Sequence, residues 1–326
     1  MQQTQAITSS LPCNLCGGHD VSVLATQSRN GGPLRSVICN SCGLVWSDPF
    51  PHDPRQFYEH DYRVEYKNTY APKPKHILRA GKIALDRHAK IKHFLRDSKQ
   101  VLDVGTGGGE FAYLLKSLGH DLQGIEPNKG YAEYSAAEYG LNLQIGFIQD
   151  ATLPTEHFDL ITIWHVLEHT EDPSLVLRNL RSWLKPDGIL VVEVPSIEAT
   201  CQAPKSTFHE AHLYNFNLET LRKMGEKAGL MEHSHLFSAD GGNMTIFFQR
   251  ANANNSALED LRIEGNAARI QAIVHGHTNT AHFLTATPYQ RFVQRMGRAL
   301  SEKIALKNFD NNKALLDQLY QSCKSN

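Results

Sequence analysis

Apolar residues fall along this chain in short runs separated by breaks rich in glycine and proline, and the spacing within each run predicts an element. "VLDV" (101–104), "FDLITIW" (158–164) and "GILVVEV" (188–194) are continuous apolar runs of strand length. "EFAYLLKSLG" (110–119) instead places Phe111, Leu114, Leu115 and Leu118 on one helical face, with Gly119 as its stop. "HILRAGKIALDRHAKIKHFL" (76–95) is amphipathic with the same period and predicts a helix leading into a sheet. Near the amino terminus, "DVSVLATQ" and "LRSVI" predict two short strands joined by the turn "RNGGP".

Residues 100–128 combine these elements into one unit: a strand, the turn "GTGGG", a helix, and a second strand, "DLQGIE". Such a unit forms a nucleoside site at the carboxyl edge of a parallel sheet. Gly105, Gly107 and Gly109 let the backbone pass close to a ligand. Glu126, 21 residues after Gly105, can take both hydroxyls of a ribose. A dinucleotide is the obvious rival ligand. Asp103, inside the first strand, would crowd a pyrophosphate but suits a ligand carrying an ammonium group and a sulfonium.

With those segments in order, the chain resembles class I S-adenosylmethionine-dependent methyltransferases. "LDVGTGGGEF" is similar to that family's first motif, and "GIEPN" to the acidic loop after its second strand. "FDLITIWHVLEHTEDP" is similar to the fourth strand and its loop, and "RSWLKPDGILVVEVPS" to the helix, turn and fifth strand. "LYNFNLETLRKMGEKAGL" resembles the last helix and "GGNMTIFF" the final strand. The resemblance implies an α/β fold: a Rossmann-like seven-stranded methyltransferase sheet with helices on both faces. It implies S-adenosyl-L-methionine as cofactor, lined by Gly105, Thr106, Gly107 and Gly109, with Asp103 near the methionine end and Glu126 on the ribose. Phe147, Trp164 and His165 would lie near the adenine or the methyl group.

Four of the six cysteines sit in the first 42 residues as two C-x-x-C pairs, Cys13/Cys16 and Cys39/Cys42. Each pair forms a knuckle, and Gly17 and Gly43 suit the turns that bring amides to the sulfurs. Four thiolates close a tetrahedral Zn²⁺ shell, so the expectation is a structural zinc ribbon. A reduced compartment fits that cysteine usage better than disulfides do.

"FHEAHLYNF" (208–216) brings two histidines, a glutamate and a tyrosine together. Its histidines lack further ligands near them in sequence, and their spacing is not the H-E-x-x-H of zinc peptidases. The stretch leads to the last helix, on the side where the resemblance places the methyl group, so His212 is the candidate base. Glu168 and His169 in "LEHTEDP" are read first as tying their loop to a helix beginning near Ser174. His169 is also carried as a catalytic candidate.

Between ribbon and fold, Tyr58, Tyr62, Tyr66 and Tyr70 recur every four residues. They predict a packing stripe or a lid, with Tyr62 as a cofactor-side candidate. After Arg250 the chain reads helical to its end, with Asp310 as a cap for the last helix. Phe292, Met296, Leu300 and Ile304 form a stripe suited to core or to a homodimer seam. The expected organisation is a zinc-ribbon-like module (1–50), a linker or lid with an amphipathic helix (51–98), the methyltransferase domain (99–250) and a helical C-terminal extension (251–326).

Composition narrows the functional classes. The chain has 326 residues and a formal net charge of −1. That balance argues against nucleic acid as partner, since phosphate-binding surfaces usually carry a basic surplus. "MQQTQAITSSLP" has no basic residue before an apolar run, and no run reaches the ~20 apolar residues of a membrane span. A cytoplasmic enzyme is therefore expected. Ribbons ahead of such folds resemble those of sugar, cell-envelope and secondary-metabolite methyltransferases. The expected reaction is methyl transfer to a small-molecule acceptor, with a sugar or polysaccharide-precursor hydroxyl foremost. A sugar C-methyltransferase, an RNA methyltransferase and a non-catalytic cofactor-binding module are the alternatives.

Overall fold

The computed structural model describes residues 6–51, 53, 55, 72–95, 99–251, 260–306, 309 and 311–324. The tyrosine stripe with Tyr62, and the cap expected at Asp310, lie outside them. In chain order the strands are β1 (Ala6–Thr8), β2 (Asp20–Gln27), β3 (Pro33–Cys39), β4 (Val45–Ser47), β5 (Gln100–Val104), β6 (Asp121–Glu126), β7 (Leu143–Ile145), β8 (Phe158–Trp164), β9 (Leu184–Pro195), β10 (Tyr214–Asn215), β11 (Leu230–Phe237) and β12 (Asn243–Arg250). The helices are α1 (Pro74–Ile91), α2 (Glu110–Ser117), α3 (Lys129–Tyr139), α4 (Pro173–Trp183), α5 (Leu218–Lys227), α6 (Asn266–Gly276), α7 (Asn279–Phe283), α8 (Thr287–Ala305) and α9 (Asn312–Lys324).

A seven-stranded mixed sheet runs in the order β11-β12-β9-β8-β5-β6-β7, the α/β arrangement expected. β5 pairs in parallel with β6 and β8, and β6 with β7, while β12 runs antiparallel to β9 and β11. Val101–Val104 and Leu190–Val194 are buried throughout, which is why these strands show no polar alternation. β11 lies at the sheet edge and exposes His233, Ser234 and His235, a polar edge that discourages pairing with another chain.

The chain divides into two compact units. One comprises Met1–Pro54, Trp164–Ser182 and Leu190–Arg291. Within it lies a five-stranded sheet in the order β1-β2-β3-β4-β10. The first four strands follow the cysteine-rich sequence, but β10 comes from the "FHEAHLYNF" stretch far downstream. α5 starts on a capping box in which the Asn217 side chain accepts from Thr220 N and the Thr220 side chain accepts from Asn217 N. α4 starts at Pro173, with Asp172 Oδ1 accepting from Leu175 N at 2.9 Å. Asp172, rather than Glu168 or His169, therefore caps that helix. A short carboxylate one residue before Pro173 can fold back onto the first turn.

The other unit comprises Arg55–Ile163, Trp183–Ile189 and Phe292–Asn326. Here α9 packs on α1 and α2, burying Leu315, Leu316 and Tyr320. Gly81 makes this approach possible, because a Cβ there would sit 2.6 Å from Leu319 Cδ2. Tyr320 Oη donates to the Glu110 carbonyl at 2.9 Å, and Asn311 Oδ1 caps α9 through Ala314 N at 2.8 Å.

Phe292, Met296 and Ile304 do not form core in this chain: they are 63%, 62% and 64% exposed. In its place α8 buries Glu302, held by Arg79 at 2.6 and 2.9 Å. The side chain of Leu300 lies outside the description. Four-residue spacing decides which side chains share a face, not whether anything covers that face.

Candidate functional site

The turn between β5 and α2 needs glycine at three points. Gly105, Gly107 and Gly109 have φ of 73°, 57° and 85°, a region that disfavours any side chain. The amides of Gly105 and Thr106 donate to the Ile125 carbonyl at 2.8 and 3.3 Å, stitching the turn to the end of β6. A Cβ on Gly109 would lie 2.6 Å from Ser135 Oγ, whereas a Cβ on Gly107 would meet nothing within 4 Å. The turn is thus packed on one side and open at Gly107.

Glu126 ends β6, buried beside that opening. Its Oε2 accepts from Gly107 N at 2.7 Å and its Oε1 from Asn128 N at 2.9 Å. Asp103 is buried in β5 and accepts from Thr162 Oγ1 at 2.7 Å. Burial pushes its carboxyl up to about 6, against the opposing pull of Thr162 and Arg87. Thr106 Oγ1 is buried with no hydrogen-bond partner among the described residues. Two buried carboxylates, an unpaired hydroxyl and an open glycine fit a ligand that is cationic at one end and carries hydroxyls. S-adenosylmethionine has that chemistry. Phe147 carries the Arg55 guanidinium 5.5 Å from its ring centre, and Arg55 pairs with Asp150 at 2.7 and 3.2 Å.

A second constellation belongs to the other unit. Its centre is Glu168, 1% exposed, with both carboxylate oxygens lacking a hydrogen bond among the described residues. His165 Nδ1 lies 3.4 Å and His169 Nε2 3.6 Å from Glu168 Oε1. His165 Nε2 also lies 3.3 Å from Glu193 Oε1, and Glu193 Oε2 accepts from Thr245 Oγ1 at 2.6 Å. His212 packs edge-on against His169 at 4.8 Å between ring centres and stacks on His209 at 5.0 Å. His165 holds a left-handed backbone, φ 56°, with its amide donating to the Glu193 carbonyl at 2.9 Å.

These neighbours divide the histidines electrostatically. Burial disfavours charge on His165, but the flanking Glu168 and Glu193 outweigh it and raise the imidazole to about 9. Burial likewise opposes ionisation of Glu168, yet His169, His165 and His212 together hold it at about 2. Burial and the neighbouring His169 hold His212 well below an ordinary histidine, and burial with Arg29 lowers His209 to about 4. At neutral pH the cluster therefore presents a cationic His165, an anionic Glu168 and a neutral His212.

His169 Nδ1 lies 2.6 Å from the Ala211 carbonyl, which can only accept, so that nitrogen carries the proton. Nε2 then faces the Glu168 carboxylate. The ligand atoms of Glu168, His169 and His212 all lie within 4.8 Å of one another and could hold a metal ion. Of the "FHEAHLYNF" histidines, His212 thus gains the additional ligands that are missing near it in sequence.

The cysteine module is geometrically complete. Cys13 and Cys42 sulfurs lie 3.5 Å apart, as do those of Cys16 and Cys39. All four sulfurs fall within 4.8 Å of one another, and all four cysteines are free of disulfides. A tetrahedral Zn²⁺ with bonds of about 2.3 Å needs sulfurs about 3.8 Å apart, so this set fits zinc. Gly17 and Gly43 have φ of 77° and 81°, and Leu44 N approaches Cys42 Sγ at 3.5 Å. Asn266, at the start of α6, donates from Nδ2 to the Cys42 carbonyl at 2.9 Å. A Cβ on Gly43 would come within 2.5 Å of that same nitrogen.

Of the sequence candidates, Asp103, the glycines, Thr106 and Glu126 come together in one unit. His165, His169 and His212 come together in the other, where Trp164 is buried at the end of β8. Sequence reasoning missed Glu193, although a carboxylate inside the apolar run "GILVVEV" was a visible signal. It had no signal for Arg55, Thr162 or Asn266.

Residues 76–235 match the family described as a methyltransferase domain. Over 132 residues the chain is 28% identical to a ubiquinone biosynthesis O-methyltransferase of Azorhizobium caulinodans, covering 36% of this chain and 52% of that protein. Over 145 residues it is 31% identical to the enzyme of that name from Paraburkholderia phymatum, covering 42% and 60%. The chain thus spans between half and two thirds of the length of these curated relatives. Among solved structures, the CcbJ methyltransferase from Streptomyces caelestis aligns over 62% of this chain and 100% of its own, with 17% identity and a TM-score of 0.46. No helix of the described residues is long and apolar enough to cross a membrane.

Proposed function

We propose that this methyltransferase domain moves a methyl group from S-adenosylmethionine to a hydroxyl of a small molecule, with a carbohydrate or polysaccharide-precursor hydroxyl as acceptor. The observation that carries the cofactor assignment is the pair of backbone amides, Gly107 and Asn128, that orient the Glu126 carboxylate beside an open glycine turn. A carboxylate held in this orientation can accept from the hydroxyls of a ribose diol. Asp103 and Thr106 would hold the cationic amino-acid end. Bound S-adenosylmethionine supplies an electrophilic methyl on its sulfonium.

The acceptor side is assigned to the histidine cluster. Neutral His212 takes the hydroxyl proton as the oxygen attacks, because burial and His169 keep its lone pair free at pH 7. Glu168 stabilises the positive charge that then appears, and His169 holds its orientation through Ala211. Oxygen as the attacking atom is supported by the names of the curated relatives, which are O-methyltransferases. The carbohydrate class rests on the resemblance to ribbon-bearing sugar methyltransferases. A cytoplasmic location and a homodimer through the exposed stripe of α8 complete this assignment.

A divalent cation is the alternative way to handle the same proton. The buried oxygens of Glu168, which accept no hydrogen bond among the described residues, favour it, and a cation held by Glu168, His169 and His212 would acidify a bound hydroxyl directly.

The test is to measure S-adenosylmethionine binding by calorimetry and then offer the chain sugar nucleotides and phenols in parallel, reading methylated products by mass spectrometry. Methylation of phenols alone rejects the carbohydrate class. Failure to bind S-adenosylmethionine rejects the whole assignment. A divalent ion retained by wild type and lost in His212→Ala would select the cation over the free base.

A further inference from the structure

Methyl transfer does not by itself need a cysteine module. The module's sheet nevertheless ends on a strand that belongs to the acceptor-side segment: β10 pairs with β4, Tyr214 opposite Trp46 and Asn215 opposite Val45. We propose that the zinc-loaded ribbon is a brace that clamps residues 208–216 and thereby sets the position of His212. This rests on the assignment of His212 to the acceptor side.

The segment is clipped at both ends by the ribbon. On one side, the turn joining β2 to β3 holds its start. Arg29 N donates to the Phe208 carbonyl at 2.8 Å, Ser28 Oγ donates to Glu210 Oε1, and Asn30 Nδ2 donates to Glu210 Oε2 at 3.2 Å. On the other side, β4 holds its end. Ser47 N donates to the Leu213 carbonyl at 2.9 Å, and Ser47 Oγ to the carbonyl of His212 itself at 3.4 Å. Between the clips the segment makes one tight turn, with His212 N donating to the His209 carbonyl at 3.0 Å. The apolar contacts agree: Phe208 shares a buried cluster with Leu24, Leu34, Ile38 and Val45, all of them on ribbon strands.

Zinc enters through β4. Only Gly43 and Leu44 separate the second knuckle from this strand, and Cys39 N donates to the Leu44 carbonyl at 2.9 Å. The direction of β4 therefore follows the Cys39–Cys42 turn, and that turn is closed by the metal. A module this small has little core of its own, so metal binding supplies much of its folding energy. Without zinc, β4 loses its anchor, and both clips on residues 208–216 loosen.

Two measurements on the full chain test this. The first is amide hydrogen exchange with zinc bound and after chelation, with metal content measured on each sample. The expected result is a rise in exchange across 209–216 while Val101–Val104 and Val191–Val194 stay protected. Unchanged protection of 209–216 in zinc-free protein would overturn the proposal. The second uses zinc-loaded protein carrying Ser28→Ala and Glu210→Gln together, which weakens one clip by removing its Ser28–Glu210 hydrogen bond and the Glu210 charge without touching a cysteine or a histidine. Its zinc content and S-adenosylmethionine affinity should match wild type, while kcat falls at least ~10-fold, since sub-ångström misplacement of a reacting group is costly. Glu210→Gln alone should keep most of the rate, because its amide oxygen still accepts from Ser28. Wild-type kcat in the double variant overturns the brace. If chelation unfolds the whole chain, seen as lost protection at Val101–Val104, the loaded double variant decides. Loss of cofactor binding by wild type would reject methyl transfer instead, leaving the exchange experiment to judge the brace.

Discussion

The Nδ1 of His169 lies 2.6 Å from the carbonyl oxygen of Ala211, joining the loop after β8 to the segment that carries His212. This contact fixes one tautomer and turns Nε2 toward Glu168. Asparagine at position 169 can donate to the same carbonyl but has no counterpart of Nε2. His169→Asn should therefore keep the fold and the affinity for S-adenosylmethionine, while kcat drops by about 10²-fold, because Glu168 loses the Nε2 that faces it and the proposed acceptor side is mispositioned. Near-wild-type turnover in this variant would reduce His169 to a tether.

If His212 is the base proposed above, its depressed imidazole should set the acid limb of the pH profile. Because His212 stays neutral well below the ordinary histidine value, kcat should hold as pH falls through 6.5 and decline only at lower pH. A limb centred at 6.5 or above would count against His212 as the base. His212→Ala should remove the limb along with most of the rate.

Stability should depend on Glu168 within a defined pH window. Its folded-state pKa, about 2, lies below the unfolded value, so its contribution is present above about 4.5 and is lost as pH falls toward 2. His165, raised to about 9, contributes fully below about 6.5 and loses that contribution as pH rises through 9. Glu168→Gln should thus cost most between about pH 5 and 6.5, of the order of 3 kcal/mol for a broken buried ion pair. The difference in urea midpoint between wild type and variant should shrink toward both pH extremes. A difference independent of pH would mean that packing, not charge, is what Glu168 supplies.

Glu126→Ala should weaken S-adenosylmethionine binding by about 10- to 100-fold, the range for losing charged hydrogen bonds. Zinc content should not change. Gly107→Ala should also weaken binding, because φ of 57° disfavours a side chain and the methyl would occupy the open side of the turn. Calorimetric titration reads both, and unaltered affinity in Glu126→Ala would exclude a ribose contact.

Much of this was legible in sequence because it is local. A glycine turn between two strands places Gly105, Gly107 and Glu126 within one short unit, and two C-x-x-C pairs carry their own turn geometry. The helix that packs on the sheet announced itself through Leu114, Leu115 and Gly119. The histidine cluster was not legible in this way. His165, Glu168 and His169 are neighbours in sequence, but Glu193 and His212 reach them from other segments, and no periodicity links these positions.

The sequence by itself determined the strands and helices, the glycine turn with its acidic partner, and the four-thiolate module. In each, neighbouring residues set the backbone conformation. Tertiary structure alone decided three further matters. Residues 214–215 became the last strand of the ribbon sheet, because strand pairing depends on which edge is free, not on distance along the chain. Glu168 became the buried centre of the histidines, because charge in a low-dielectric site depends on every neighbour. The apolar face of α8 stayed exposed, because helical periodicity can predict a face but not its cover.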